Sequence, residues 1–319
     1  METVPRPQVD DVERAATSRA TPGSFRLAAT YLFVCLIWGT TWYGMKLSVE
    51  SIPPITAAGL RFCIAFPFLA VAVLVSRGAS FRFPTGKKWL LPFVSLVYIA
   101  IPYSLINYGE QHVSSGFASL LFASVTVFLL VFSRIISRIT VSGRQWAGVV
   151  AGLVCLVVLI LHTNGDLSAE NLLAPAAVLA AAVLHAMTYA TLARHAGEID
   201  VLTVEVLPIG CGGVSLLLLG ILSEHPDFGA ITGASWAGVL YLGIVASVVG
   251  FAAYFYLLKY VNAVTLSFVF VFFPVIAVLV SSVVEHSAFD LLALLLAAGM
   301  LGSFALTKKR AADAAGKGN

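Results

Sequence analysis

Apolar residues along this chain come in long blocks separated by short polar breaks. The first block begins near Leu27, runs through LIWGTTWYGMK and closes on Lys46. Its length matches the roughly 20 helical residues needed to cross a hydrocarbon core of about 30 Å. Ten such blocks are marked, at about 27–46, 55–76, 89–109, 115–136, 144–162, 171–193, 202–222, 236–258, 263–283 and 289–307. The breaks are short, so the blocks are expected to pack as one bundle. Backbone polar groups at membrane depth must be satisfied inside helices. The predicted fold is therefore an all-α membrane protein of ten transmembrane helices. Residues 1–25 are polar, with Pro5, Pro7, Pro22 and Gly23, and are expected to form a disordered tail. The first block is too long for a signal-peptide core and is read as a retained span.

Composition agrees with a bilayer as solvent. Of 319 residues, 59% are hydrophobic and 11% charged, against roughly 25% charged in a soluble domain. Mean hydropathy is +0.95. The distribution of charge carries more than its sum. Of the 19 basic residues, all but Lys46 and Arg61 fall in segments on one side of the bundle. The opposite loops and helix ends collect Glu50, Glu110, Asp166, Glu170, Glu224, Asp227, Glu285 and Asp290. Basic segments stay in the cytoplasm, so both termini are expected there, in a multi-pass protein of the bacterial inner membrane. Cys35, Cys63, Cys155 and Cys211 lie inside apolar blocks, without the spacing of a disulfide framework or metal site. No phosphate loop, zinc-type motif or nucleophile elbow occurs. The chain is read as no enzyme, with no cofactor, metal or nucleic acid.

The two halves match each other at a nearly constant offset. At 147 residues, Trp38 aligns with His185, Thr41 with Thr188, Trp42 with Tyr189, Thr56 with Thr203 and Trp89 with Trp236. At 148, Tyr108 aligns with Tyr256, Ser119 with Ser267 and Phe122 with Phe270. A constant offset is the signature of duplication. Each half has five predicted spans, and five is odd, so the second half enters the membrane inverted. Inverted repeats are typical of secondary transporters, whose substrate lies near the midplane where the repeats meet.

That placement selects the candidate cavity residues Trp38, Trp42, Tyr108, His185, Tyr189 and Tyr254. Trp38 and its match His185 fall at mid-membrane, where an indole N–H and an ionisable ring each need a partner. The plainer reading of each is an aromatic filler or a histidine bonded to a neighbouring carbonyl. Lys46 and Arg61 approach from the opposite, acid-collecting face, with Glu50 and Glu110 at the same level to neutralise them. Lys46, Arg61 and Glu110 are assigned to an outer vestibule or a structural ion pair. Attraction of a carboxylate-bearing substrate is the functional alternative. Pro67, Pro92, Pro102, Pro208 and Pro274 fall inside spans and are expected to bend them.

The stretch LIWGTTWYGMKLSVESIPPITAAGLRFCIAF, with Trp38-Gly39, Lys46, Pro53-Pro54, Arg61-Phe62 and Ala65, resembles the opening of EamA-type repeats of the drug/metabolite transporter superfamily. The segment from Leu242 to His286, including Pro274 and Glu285, resembles the end of the second repeat. The resemblance implies repeats at 26–162 and 163–307, with 308–319 a cytoplasmic tail. It implies export of a small metabolite, amino acids or derivatives leading, by alternating access, with a coupling proton or counter-substrate. A sugar or nucleotide-derivative carrier and a non-transporting scaffold or sensor are the alternatives. The fourth span departs from the pattern. Thr126 stands where the family proline is expected and Ser137 where its glutamate is expected. A fourth helix without the kink of the ninth is anticipated.

Overall fold

The computed structural model describes residues 23–76, 79–138, 140–164, 169–195, 198–258, 260–261, 266 and 269–315. The tail expected at 1–25 falls outside them up to residue 22, as do Arg77, Asp166 and Lys259. The described chain is helical. Helix α1 is Ser24–Ser48, α2 Pro54–Val75, α3 Leu90–His112, α4 Ser115–Ile136, α5 Gly143–Asn164, α6 Ala169–Arg194 and α7 Val201–Glu224. Helix α8 is built from Gly233–Leu240, Tyr241–Val249 and Gly250–Leu258, followed by α9, Val269–Val284, and α10, Leu291–Ala315.

Among the described residues, eight helices, α1 to α8, are long and apolar enough to cross a bilayer. The expected ninth and tenth spans hold shorter apolar helices, Val269–Val284 and the Leu291–Ser303 part of α10. Leu74, Leu222, Val283 and Leu291 are among the large apolar side chains left exposed on the helices. In water these would be a liability; facing lipid they are the expected surface of a multi-pass membrane protein.

Packing follows the duplication. The main helix pairs are α2 with α7, α5 with α10, α1 with α9 and α4 with α6, and α3 with α6 and α1 with α8. Each pair is matched with itself or with its repeat counterpart. The α2–α7 crossing is close because glycines remove side chains from it. A Cβ on Gly59 would meet the Leu217 backbone at 2.5 Å, and one on Gly213 would meet Phe62 at 2.7 Å. Gly39 admits α9, with Ile276 where its Cβ would lie, and Gly44 admits Tyr241 and Leu242 of α8. These glycines serve helix contact.

The repeats also share an irregularity. A wide, i→i+5 bonded turn occupies Val94–Ala100 in α3 and Tyr241–Val249 in α8. The two start at 94 and 241, at the same offset of 147 found in the sequence. In α3 the segment lies between Pro92 and Pro102, but α8 has no proline there, so proline alone is not its cause. Ser247 follows the wide register, its hydroxyl donating to the Leu242 carbonyl at 2.9 Å. Helix α4 runs as one apolar helix with a single turn residue at Ser124, whose backbone stays helical and whose hydroxyl donates to the Leu121 carbonyl at 2.6 Å, two residues before Thr126.

At one end of the bundle, two carboxylates from the second repeat close helix starts of the first. Glu224 accepts from the amides of Ile55 and Thr56 at 2.9 and 2.8 Å and from the Thr56 hydroxyl at 2.7 Å. Glu285 accepts from the amide of Ser115 at 3.1 Å and from its hydroxyl. Orphan amides at a helix start favour such anions. Among the loops, Lys87 pairs with Glu198 at 2.9 Å while His195 lies between them. Lys87, then His195, holds the Glu198 carboxyl below the usual range. Asp290 caps α10, accepting from the Ala293 amide at 2.8 Å and pairing with His162 at 2.7 Å. Those contacts depress its carboxyl pKa.

Candidate substrate cavity

Between the repeats lies a cavity of about 110 Å³. Helix α1 contributes Trp38, Thr41, Trp42 and Met45, α2 contributes Arg61, α3 Tyr98, Tyr103 and Ile106, and α4 Phe122. From the second repeat come His185 and Tyr189 of α6, Ala246 and Phe251 of α8, and Phe270 and Phe273 of α9. Much of the wall consists of repeat-matched positions: Trp38 and His185, Trp42 and Tyr189, Tyr98 and Ala246, Tyr103 and Phe251, Phe122 and Phe270. Positions matched between the repeats thus line one chamber.

The aromatic wall is ordered by ring contacts. Trp42 stacks on Phe273 with centroids 6.0 Å apart and an interplanar angle of 10°, and meets Phe122 at 5.3 Å. Trp38 packs on Tyr254 at 5.0 Å and on Phe270 at 6.1 Å. His185 is enclosed by Tyr98, Phe122 and Tyr103 at 4.9, 5.0 and 5.5 Å. Its Nδ1 lies 3.0 Å from the Ala181 carbonyl, one turn back in the same helix. Nδ1–H donates to that carbonyl, which leaves Nε2 as the free acceptor of the ring. The hydroxyls of Tyr98 and Tyr189 are 3.4 Å apart.

Four of the six residues singled out for the cavity line it: Trp38, Trp42, His185 and Tyr189. Tyr254 stands behind Trp38 rather than in the wall. Tyr108 is turned away, its ring 4.6 Å from that of His112. Tyr98 and Tyr103 were not anticipated. They are five positions apart, and a regular helix of 3.6 residues per turn would separate them onto different faces. The wide turn between them brings both to the chamber.

The basic residues depart furthest from expectation. No ion pair among the described residues joins Lys46 or Arg61 to Glu50 or Glu110. Lys46 Nζ donates to the carbonyls of Glu110 and Val113 at 2.6 and 3.0 Å, satisfying the open end of α3. The Glu110 side chain is buried with neither carboxylate oxygen hydrogen-bonded. Arg61 is 8% exposed and lines the cavity itself. Its guanidinium lies over the rings of Tyr103 and Phe62, at 4.9 and 5.2 Å, and Nε has no hydrogen-bond partner. Glu205 of α7 has a buried Oε2 without a hydrogen-bond partner and does not line the chamber.

Comparison with known proteins matches residues 27–161 and 172–308 to the EamA-like transporter family. Protein PagO of Salmonella typhimurium is 32% identical over 79% of this chain and 83% of its own length. The uncharacterized inner membrane transporter YedA of Escherichia coli K12 is 28% identical over 77% of this chain and 79% of its own. The uncharacterized transporter YoaV of Bacillus subtilis is 26% identical over 76% and 83%. A solved crystal structure superposes with a TM-score of 0.65 at 20% identity, covering 91% of this chain and 98% of that one.

Proposed function

The chain belongs to the EamA-like transporter family, and from that premise we propose that it exports a small metabolite, an amino acid or derivative, by alternating access between two inverted five-helix halves. The observation that carries the reading is the central cavity. Both repeats supply its walls from matched positions, as a site exposed alternately to each side requires. An apolar chamber with a few convergent polar groups suits a small amphipathic molecule. Thr41, Tyr98, Tyr103, Tyr189, His185 and Arg61 supply those groups.

The same proposal places the protein in the bacterial inner membrane with both termini cytoplasmic. Its support is the gathering of basic residues in the segments of one side. It assigns the repeats to 26–162 and 163–307, with the substrate and the bilayer as partners. A coupling proton or counter-substrate completes the cycle. A sugar or nucleotide-derivative carrier is disfavoured for phosphate-bearing substrates by the wall, where Arg61 is the sole Lys or Arg among the described residues.

The test is counterflow in proteoliposomes with labelled amino acids, their N-acyl derivatives, sugars, nucleosides and organic cations. One class is expected to accumulate, and Trp38→Ala and His185→Ala to abolish accumulation at normal protein levels. Unchanged counterflow in both variants would remove the cavity from the mechanism. Ligand-induced stabilisation without counterflow for any class would favour a receptor.

A further inference from the structure

We infer that Arg61 anchors the anionic group of the transported molecule, and that this molecule is an organic monocarboxylate with an apolar or aromatic body and no free ammonium. The inference rests on the carrier reading above and narrows its substrate class.

The cavity wall is built largely from repeat-matched positions, and Arg61 breaks the pattern. Its match, at the offset of 147, is Pro208, which does not reach the chamber. The guanidinium is nearly enclosed, yet it is met only by ring faces. No aspartate or glutamate lines the cavity, and no ion pair among the described residues involves Arg61. A buried cation left with ring faces alone is costly. Lys46, a cation on the neighbouring helix α1, has two carbonyls to hold it. Arg61 instead lines the chamber, and its planar guanidinium fork matches a carboxylate with two parallel hydrogen bonds.

Charge balance then selects the ligand. One guanidinium neutralises one carboxylate. A phosphate dianion would carry unbalanced charge into an apolar chamber. A zwitterionic amino acid would bring an ammonium for which the wall offers ring faces but no carboxylate. An acid whose nitrogen is acylated or absent leaves no charge unmet. Its body would lie against Trp42, Phe122 and Phe273, whose contacts already form a flat apolar wall.

The experiment uses the full chain in detergent, with thermal unfolding followed by tryptophan fluorescence. The probes are N-acetylphenylalanine, phenylacetate, phenylalanine, phenylalaninamide and phenyl phosphate at equal concentrations. The two acids without an ammonium are expected to raise Tm most, and phenylalaninamide not to raise it. In Arg61→Gln the acid-dependent shift is expected to vanish, corresponding to at least about 30-fold weaker binding. Arg61→Lys is expected to keep a smaller shift. Stabilisation by the amide equal to that by the acids, no stabilisation by any probe, or an intact acid shift in Arg61→Gln overturns the assignment. Should the variants fail to fold, the acid-against-amide comparison in the unaltered protein decides it. Counterflow separates the two readings. Acid binding without counterflow removes the carrier and leaves the site. Counterflow of a neutral or cationic class, untouched by Arg61→Gln, removes the site and leaves the carrier.

Discussion

Lys46 and Arg61 enter the bundle on neighbouring stretches of α1 and α2, both as cations in apolar helices, and they end in opposite circumstances. Lys46 reaches the carboxyl-terminal end of α3 and donates to two carbonyls that the helix cannot satisfy itself. Its charge is absorbed by the backbone. Arg61 reaches the chamber and meets only the faces of Tyr103 and Phe62. Its charge is left over. A cation that closes a helix end stabilises the fold, whereas a cation held with open donors stores interaction energy for something else. The difference lies in the partner each side chain can reach, and chain position alone does not reveal it.

The contrast breaks most sharply if the two residues are neutralised separately. Arg61→Gln is expected to reduce carboxylate counterflow by at least about 30-fold, while Lys46→Gln leaves counterflow per folded molecule nearly intact. Next in size is stability, where the order reverses. Lys46→Met removes two charge-assisted hydrogen bonds and is expected to cost about 2 kcal/mol, read as a lower Tm. Arg61→Met, which relieves an unpaired buried charge, is expected to raise stability by on the order of 1 kcal/mol. A fall in Tm for Arg61→Met as large as that for Lys46→Met would erase the distinction.

Smaller effects sharpen the picture at the helix ends. Glu285→Gln weakens the cap on α4 and is expected to cost about 1 kcal/mol in Tm measurements. Smallest is the response to acid at the loops. The pKa of Glu198 is lowered in the folded protein by Lys87 and His195, and that of Asp290 by the Ala293 amide and His162. A depressed carboxylate adds stability that is present above its unfolded pKa and is lost as pH falls through its folded pKa. A modest decline in Tm below the ordinary carboxylate range is therefore expected, reduced in Glu198→Gln. A Tm that rises on acidification would contradict these pairings.

Much of this architecture is legible in the sequence, because bilayer thickness fixes block length and a constant offset exposes duplication. Trp38 with His185, and Trp42 with Tyr189, were found by applying that offset at the midplane, and both pairs face the chamber. Tyr98 and Tyr103 were missed because the wide turn in α3 changes which positions share a face, and no proline marks its counterpart in α8. Tyr108 was selected as a polar aromatic of the third span matched to Tyr256, and the structure instead packs it on His112. The expected pairing of Lys46 with Glu110 failed in an instructive way. The contact is made with the Glu110 main chain, and a carbonyl has no signature in side-chain chemistry.

The carboxylate caps of Glu224 and Glu285 carry a thermodynamic consequence. The position matched to Glu285 is Ser137, which brings no carboxylate, and that matched to Glu224 is Arg77, which lies outside the described residues. The backbone itself is repeated faithfully there: Arg138 and His286, related by the offset of 148, both adopt a left-handed conformation with φ of 53°. The repeat is thus equal in shape and unequal in grip. Opening the glutamate end requires breaking two carboxylate caps. At about 1 kcal/mol for each cap, the pair would hold the glutamate end closed by roughly 30-fold in the alternating access proposed above. In that proposal a duplicated chain supplies two states of matching geometry, and two side chains bias which one the empty protein waits in.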